Sequence, residues 1–183
     1  FADGAKRNPD GQVFMKNRET DEWLKQNEKS TREFIRKWGH MCQHDEYMKP
    51  IIPSKYDIGI ILQDNNLDLL KVLEPWCSNV YCDSNLGKHY ITTEQTNTSF
   101  NLSDRVLSYD DEKYNDILIE ISANRFNNED FRHIQNISEI ITNDEDIVGS
   151  DGLSGPERFE LGNLKISIYN LETYEKELVT CKK

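Results

Sequence analysis

The fold is decided by residues 56–83, which read YDIGIILQDNNLDLLKVLEPWCSNVYCD. The nearly continuous apolar run at 58–62 is typical of a strand that is covered on both faces. A helix follows, capped by Asn65 or Asn66 and carrying leucines at helical spacing, and residues 78–83 predict a second strand. This unit favours parallel pairing of the two strands, because a helical crossover joins them.

The same pattern resumes after a polar and poorly patterned stretch at 84–114. Alternating apolar residues predict strands at 117–121 and 164–168. Asn128 is expected to cap a helix, and a short helix covers roughly 172–179. The sequence therefore predicts an α/β fold of Rossmann-like type. We expect a small three-layer, largely parallel sheet of about four strands, with flanking helices and right-handed crossovers.

A loop at 1–19 and the clearest helix of the sequence precede this α/β pattern. Thr20 can cap the helix, and Gly39 stands where a left-handed residue commonly ends one. A stripe at helical spacing runs along one side and consists of Trp23, Leu24, Asn27, Thr31, Phe34, Ile35 and Trp38. The stripe predicts that this amphipathic helix packs against another surface.

The two prolines after this helix, Pro50 and Pro53, predict an extended connector. We place a domain boundary at the connector. Residues 1–48 form a first unit of loop and helix, and residues 49–183 form the α/β domain.

The composition of the chain argues against several classes of function. Its 183 residues carry a net charge of −11, and 36% of them are hydrophobic. This acidity argues against partners such as nucleic acid and anionic membranes, because both bind basic surfaces. No run of 18 apolar residues is present, so we expect no transmembrane segment. The four scattered cysteines indicate reduced thiols and a cytoplasmic location rather than a disulfide framework.

The turn after the first strand bears on nucleotide binding. Residues 63–66 read QDNN and contain no glycine. A dinucleotide site needs glycine there, because its pyrophosphate closely approaches the backbone. We therefore do not expect a dinucleotide or S-adenosylmethionine site of the usual kind.

The densest set of candidate metal ligands directly follows the helix. It consists of His40, His44, Asp45 and Glu46, with Cys42 between them. His40 and His44 are four residues apart, a spacing that brings two imidazoles together on a helix. Because Gly39 ends the helix just before them, the alternative interpretation is a polar hinge in which one histidine caps the helix carbonyls.

One part of the chain resembles a known family. The residues that carry the likeness are Asn17-Arg18, Trp23-Leu24, Asn27 and the stretch FIRKWGH at 34–40. They resemble the C-terminal end of the catalytic domain in family 2-type, A-fold glycosyltransferases, where a loop and an Asn-containing segment lead into a helix ending in Phe-x-x-Lys-Trp-Gly. The likeness covers about the first 40 residues.

The resemblance implies transfer of a sugar from a nucleotide-sugar donor. It also implies a divalent ion, Mn²⁺ or Mg²⁺, held by an Asp-x-Asp motif, and a carboxylate base for the acceptor hydroxyl. Neither motif can be placed in this sequence, so we expect both to precede Phe1. Some members of the family have a metal-binding histidine near this end, and His40 and His44 are the local candidates.

Three hypotheses for the function remain. The first is the C-terminal portion of a glycosyltransferase of polysaccharide or glycoconjugate synthesis, with an accessory α/β domain and without a complete active site. Its partners are the upstream catalytic domain or another subunit, and an acceptor glycan. The second is a non-catalytic interaction or scaffold domain. The third is a metal-dependent enzyme that uses His40 and His44.

Overall fold

A computed structural model of the chain describes residues 20–143 and 156–171. Its helices are α1 (Asp21–Trp38), α2 (Leu67–Leu73), α3 (Ser84–Glu94), α4 (Asn128–Gln135) and α5 (Ile137–Asn143). Its strands are β1 (Gln43–His44), β2 (Pro50–Ile51), β3 (Ile58–Gln63), β4 (Asn79–Cys82), β5 (Val106–Ser108), β6 (Ile117–Ser122), β7 (Glu157–Leu161) and β8 (Leu164–Ile168). The predicted loop at 1–19 and the predicted helix at 172–179 lie outside the described residues.

Six of these strands form one mostly parallel sheet in the order β5-β4-β3-β6-β8-β7. Strands β5, β4, β3 and β6 are parallel, whereas β8 runs antiparallel to β6 and β7 antiparallel to β8. In the centre, Ile60 of β3 lies between Val80 of β4 and Ile119 of β6. The structure thus confirms an α/β fold with a largely parallel sheet flanked by helices and preceded by an N-terminal helix.

Local sequence signals account for the central elements. The side chain of Asn66 caps α2 by accepting a hydrogen bond of 2.9 Å from the backbone N–H of Leu69. Pro75 lies in the 3₁₀ turn Glu74–Trp76 that follows α2, where its missing N–H costs nothing. Asn127, rather than the predicted Asn128, caps α4 and forms a capping box with Asp130.

In the large sheet, the structure adds two strands, β5 and β7, to the four that the sequence predicts, and β1 and β2 form a separate two-stranded sheet. The polar stretch at 84–114 contains both α3 and β5, which the sequence pattern did not indicate. Asp83 caps α3 by accepting hydrogen bonds from the N–H groups of Asn85 and Leu86. The buried side of α3 consists of Gly87, Tyr90 and Glu94, so it lacks the aliphatic repeat that marks most helices.

A single apolar core joins the helices to one side of the sheet. Alternate strand residues such as Ile60, Val80 and Ile119 pack there with Leu70 of α2 and Ile134 of α4. Within the described residues, no helix is long and apolar enough to cross a membrane.

A buried polar network lies on the other side of the sheet. Tyr81 donates a hydrogen bond of 2.8 Å to Asn115, and the Asn115 amide donates to Asn79 and Asp57, also at 2.8 Å. Gly59 allows the Asn115 side chain to lie directly against the backbone of β3, because a Cβ at position 59 would lie 2.4 Å from the Asn115 Oδ1 atom. The network thereby fixes the segment that leads from β5 to β6 over the sheet.

Candidate functional site

The candidate site lies at the C-terminal end of α1. The predicted caps of this helix are present: Thr20 accepts from the N–H of Trp23, and Gly39 has φ 79°, in the left-handed region. Lys55 secures the same end, because its Nζ atom donates to the carbonyls of Arg36 and Lys37 at 3.1 and 3.0 Å. The backbone that leads into His40 is therefore held on two sides.

One face of α1 docks on the α/β domain through charged residues. We call these residues with their tyrosine the charge cluster; it consists of Arg32, Glu33, Arg36, Glu74, Tyr90, Glu94 and Arg105. Three arginines face three glutamates, so the formal charges of the cluster cancel. Arg36 and Glu74 have completely buried side chains and lie 2.7 Å apart.

Glu74 is the centre of the charge cluster. Its carboxylate accepts hydrogen bonds from Arg36, from Arg105 at 2.6 Å and from the Tyr90 hydroxyl at 2.9 Å. Burial acts to raise the pKa of Glu74, but the hydrogen bonds from Arg36 and the charge of Arg105 outweigh it and hold this pKa below its ordinary value. Burial and the charge of Glu74 raise the pKa of Tyr90, which keeps its hydroxyl protonated as a donor.

The opposite side of α1, which we call its outer face, is apolar and consists of Leu24, Phe34 and Trp38. Phe34 and Trp38 lie roughly 160° around the helix from Arg36. Their ring centroids are 6.4 Å apart, and both side chains are half-buried, while Leu24 is 47% exposed. The docked face is therefore fully buried at Arg36, whereas the outer face retains open apolar surface.

His40 closes the outer face at the end of α1. Its ring packs edge-on against Phe34, with the centroids 6.2 Å apart. Its Nδ1 atom lies 2.7 Å from the carbonyl oxygen of Met41. A carbonyl only accepts, so Nδ1 carries the hydrogen and Nε2 of the neutral ring is left as the lone-pair nitrogen. That Nε2 atom is buried and has no hydrogen-bond partner among the described residues.

The other predicted ligands lie in the hairpin of β1 and β2 and have different roles. His44 is exposed, with its Nδ1 atom 3.1 Å from the backbone carbonyl of Asp45. The Asp45 carboxylate accepts from the N–H groups of Tyr47 and Lys49, both at 2.8 Å, and thereby forms the hairpin turn. Glu46 is exposed on that turn.

The described residues contain no group of three or more His, Cys, Asp or Glu side chains that could hold a metal ion. A metal site made of all four predicted ligands stays a prediction. Among the four, His40 alone combines burial with a ring nitrogen that lacks a partner.

Cys42, Cys77 and Cys82 are free thiols. Burial raises the pKa of Cys77, and it raises the pKa of Cys82 to about 11.

The carboxyl end of the parallel strands is the usual ligand site of such sheets, at the point where strand order reverses. In this sheet that point lies between β3 and β6. Asp64 follows β3 with φ 71° and accepts a hydrogen bond of 3.1 Å from Ser122 at the end of β6. The turn contributes carboxylate and amide groups at the position where a pyrophosphate site needs glycine.

A small crevice lies between the end of α1 and the start of β3. Gly39, Lys55, Cys77 and Ser138 contribute to its walls, and its volume is about 10 Å³. This is the space of about one water molecule, so the crevice does not accommodate a sugar or a nucleotide.

Comparisons with known proteins identify no relative: no protein family, no curated protein and no solved structure matches the chain. The function of this protein therefore has to be argued from the site itself.

Sequence reasoning did not indicate the charge cluster. The partners of Glu74 in the cluster come from α1, from α3 and from the segment before β5, and Arg36 lies 38 positions from Glu74. No local period relates residues at such separations. The available signal was weak: Arg36 interrupts the apolar end of α1, and Glu74 stands between Leu73 and Pro75 in an apolar stretch.

Proposed function

We propose that this chain is the C-terminal portion of a glycosyltransferase that transfers sugar from a nucleotide-sugar donor in polysaccharide or glycoconjugate synthesis. In this proposal α1 belongs to the end of the catalytic domain, and the α/β domain is an accessory module. The observation that carries the proposal is His40, whose buried Nε2 atom lacks a partner among the described residues, at the end of the helix that bears the Phe-x-x-Lys-Trp-Gly pattern.

The surroundings of His40 fit a metal ligand. Histidines that bind metals commonly donate the N–H of the second ring nitrogen to a carbonyl or carboxylate, which fixes the tautomer and the ring orientation. The Met41 carbonyl does this for His40. His40 would supply one ligand to Mn²⁺ or Mg²⁺, and the Asp-x-Asp motif of the upstream domain would supply others. A divalent ion held there would neutralise charge on the diphosphate of the donor.

The apolar surface around His40 supports the proposed partner, an upstream catalytic domain. In and beside the hairpin that follows α1, five apolar side chains are exposed, which are Met41, Tyr47, Met48, Ile51 and Ile52. Exposed apolar surface of this kind is typical of an interface. A catalytic domain that covered this surface would bury the apolar side chains and bring its own ligands to His40.

The α/β domain would serve this transferase by binding an acceptor glycan or by mediating assembly. Carboxylates and amides at its strand ends, such as Asp64 and Gln63, match the hydroxyls of a sugar better than the phosphates of a nucleic acid. The proposed location is the cytoplasm, in keeping with the free thiols of Cys42, Cys77 and Cys82.

The first test is the coding sequence that precedes the codon of Phe1. We expect an apolar strand followed by an Asp-x-Asp motif in the same reading frame. An initiator methionine directly before Phe1, or an upstream sequence without that motif, would overturn the glycosyltransferase proposal.

The second test is calorimetric titration of the whole encoded protein with Mn²⁺. We expect His40→Ala to weaken binding by at least about tenfold, because it removes a ligand. The matched control is His44→Ala, an exposed histidine four residues away, which should bind Mn²⁺ as the wild type does. Equal affinities in the wild type and the His40 variant would remove His40 from the metal site.

A non-catalytic scaffold is the second candidate function, and the docking of α1 favours it. The charge cluster attaches α1 to the α/β domain with every charge paired inside this chain. A scaffold of this kind needs no upstream active site. Upstream sequence without Asp-x-Asp, together with no Mn²⁺ binding, would decide in favour of the scaffold.

A further inference from the structure

The charge cluster places charged residues where apolar residues would serve stability equally well. Replacing a buried ion pair by apolar side chains of similar volume is often neutral or stabilising, so burial of Arg36 against Glu74 is weak support for a role in stability alone. What such a pair provides is geometric selectivity, since a guanidinium and a carboxylate match at one relative placement only.

The cluster fixes both the position of α1 along its axis and its rotation. A slide by one helical turn would move Arg36 by about 5.4 Å, which breaks all its hydrogen bonds to Glu74. A purely apolar contact would tolerate such a slide at lower cost. Three additional contacts hold the same register, because Arg32 donates to the Lys71 carbonyl at 2.5 Å and Glu33 accepts from Thr98 and Ser99.

We propose that Glu74 and Tyr90 are positioning residues that hold α1 in one register on the α/β domain and so place His40 at a fixed point. Tyr90 links the two arginines of α1 to the centre of the cluster. Its hydroxyl accepts from Arg32 at 2.7 Å and from Arg36 at 3.4 Å, and it donates to Glu74 at 2.9 Å. His40 follows Arg36 by four residues, across a helix end that Lys55 secures. The role of His40 rests on the proposed function, whereas the register of α1 does not.

The test is Tyr90→Phe in the 183-residue chain, followed by amide hydrogen exchange and by the NMR signals of the His40 ring. Tyr90→Phe removes one hydroxyl and keeps the ring. We expect amides of α1 to exchange about tenfold faster while amides of β3 and β6 keep their protection, because α1 opens on its own. The His40 ring signals should shift or broaden as its surroundings become variable.

The matched control is Tyr81→Phe. Tyr81 is also buried, and its hydroxyl donates to Asn115 at 2.8 Å on the other side of the sheet. We expect this variant to leave both the α1 amides and the His40 signals unchanged. Should Tyr90→Phe fail to fold, Arg36→Lys takes its place with the same measurements, since it keeps the charge and loses the two-pronged contact.

Two results would overturn the inference. In the first, the amides of α1 and of the sheet lose protection to the same degree, which would assign Tyr90 to global stability alone. In the second, the α1 amides and the His40 signals match those of the wild type. Neither result depends on the upstream coding sequence, so failure of this inference and failure of the glycosyltransferase proposal can be told apart.

Discussion

The two faces of α1 differ in chemistry and in how completely they are covered, although each has one buried nitrogen without a hydrogen-bond partner among the described residues, Arg32 Nε on the docked face and His40 Nε2 on the outer face. On the docked face, Arg36 and Glu74 are charged, fully buried and bonded to each other and to their neighbours. On the outer face, Phe34 and Trp38 are apolar and half-buried, and the buried Nε2 atom of His40 has no partner among the described residues. One helix therefore carries a charged, buried contact made within this chain and an apolar face that is only partly covered.

This difference separates a contact made within the chain from a surface that is available to another molecule. Burying a charge is costly unless it is paired, so a fully paired cluster identifies the docked face as an internal contact. Open apolar surface beside an unpartnered polar nitrogen is expected where a further surface is to be covered. Substitutions on each face, and a fall in pH, test this distinction.

The largest effect is expected from Arg36→Leu on the docked face. Removing one partner of a buried ion pair leaves the other charge uncompensated, so the free energy of unfolding should fall by about 3–5 kcal/mol. Urea denaturation measures this loss. The control is Lys25→Leu on an exposed part of the same helix, which should change stability by less than about 0.5 kcal/mol. Equal effects of the two substitutions would show that the cluster contributes nothing specific.

A smaller effect is expected from acid, through the pKa of Glu74. This pKa is lower in the folded chain than its ordinary value of 4.5, so the unfolded state binds protons first as the pH falls. The stabilisation by Glu74 is present above that ordinary value and is lost as the pH falls through the folded pKa. Urea denaturation between about pH 7 and pH 3 should therefore show declining stability, less steeply in Glu74→Gln.

The Glu74→Gln variant should not become fully independent of pH. Hydrogen bonds from Thr98 and Ser99 outweigh burial and lower the pKa of Glu33, and those from Asn163 do the same for Asp130. Both carboxylates add to the decline with the same sign. Identical pH dependence in the wild type and the variant would contradict a lowered pKa of Glu74 in the folded chain.

The smallest effect on the chain alone is expected from Trp38→Ser on the outer face. Trp38 is half-buried, so its removal should lower the free energy of unfolding by about 1 kcal/mol or less in urea denaturation. In the whole encoded protein the same substitution should cost clearly more, because an upstream domain would bury this side chain. If Trp38→Ser lowers the free energy of unfolding of the chain alone as much as Arg36→Leu does, the outer face already packs against the rest of this chain.

Local signals in the sequence were sufficient for α1, β3 and α2. Thr20 and Gly39 mark the two ends of α1, and Asn66 marks the start of α2, because caps act through hydrogen bonds and dihedral angles within a few residues. The short strand β5 and the helix α3 lack such a pattern. Strand β5 is held by its pairing with β4, as in the pairing of Val106 with Val80, and α3 packs with Gly87 beside Val106 of β5 and Cys82 of β4.

The candidate site likewise has features that the sequence shows and features that appear only in the folded chain. Its members His40, His44, Asp45 and Glu46 could be selected from the sequence as residue types that bind metals, but their different environments could not be foreseen. The Met41 carbonyl that fixes the ring of His40 and the turn that engages Asp45 depend on the path of the chain after Gly39. Which ring nitrogen of His40 carries the hydrogen, and whether the other nitrogen finds a partner, therefore depend on how the chain folds after Gly39.

From the sequence alone we could predict the α/β class, the parallel centre of the sheet and the extent of α1, and we could see that the turn after β3 has no glycine for a pyrophosphate. These features depend on periodicity and on residues that are neighbours in the chain. The folded structure was needed to show that α1 docks through Arg36 and Glu74 as well as through Ile35, a residue of its apolar stripe that is buried in the core. The charge pairing joins residues far apart in the chain, and the low dielectric of the interior makes the match of charges important there alongside hydrophobicity.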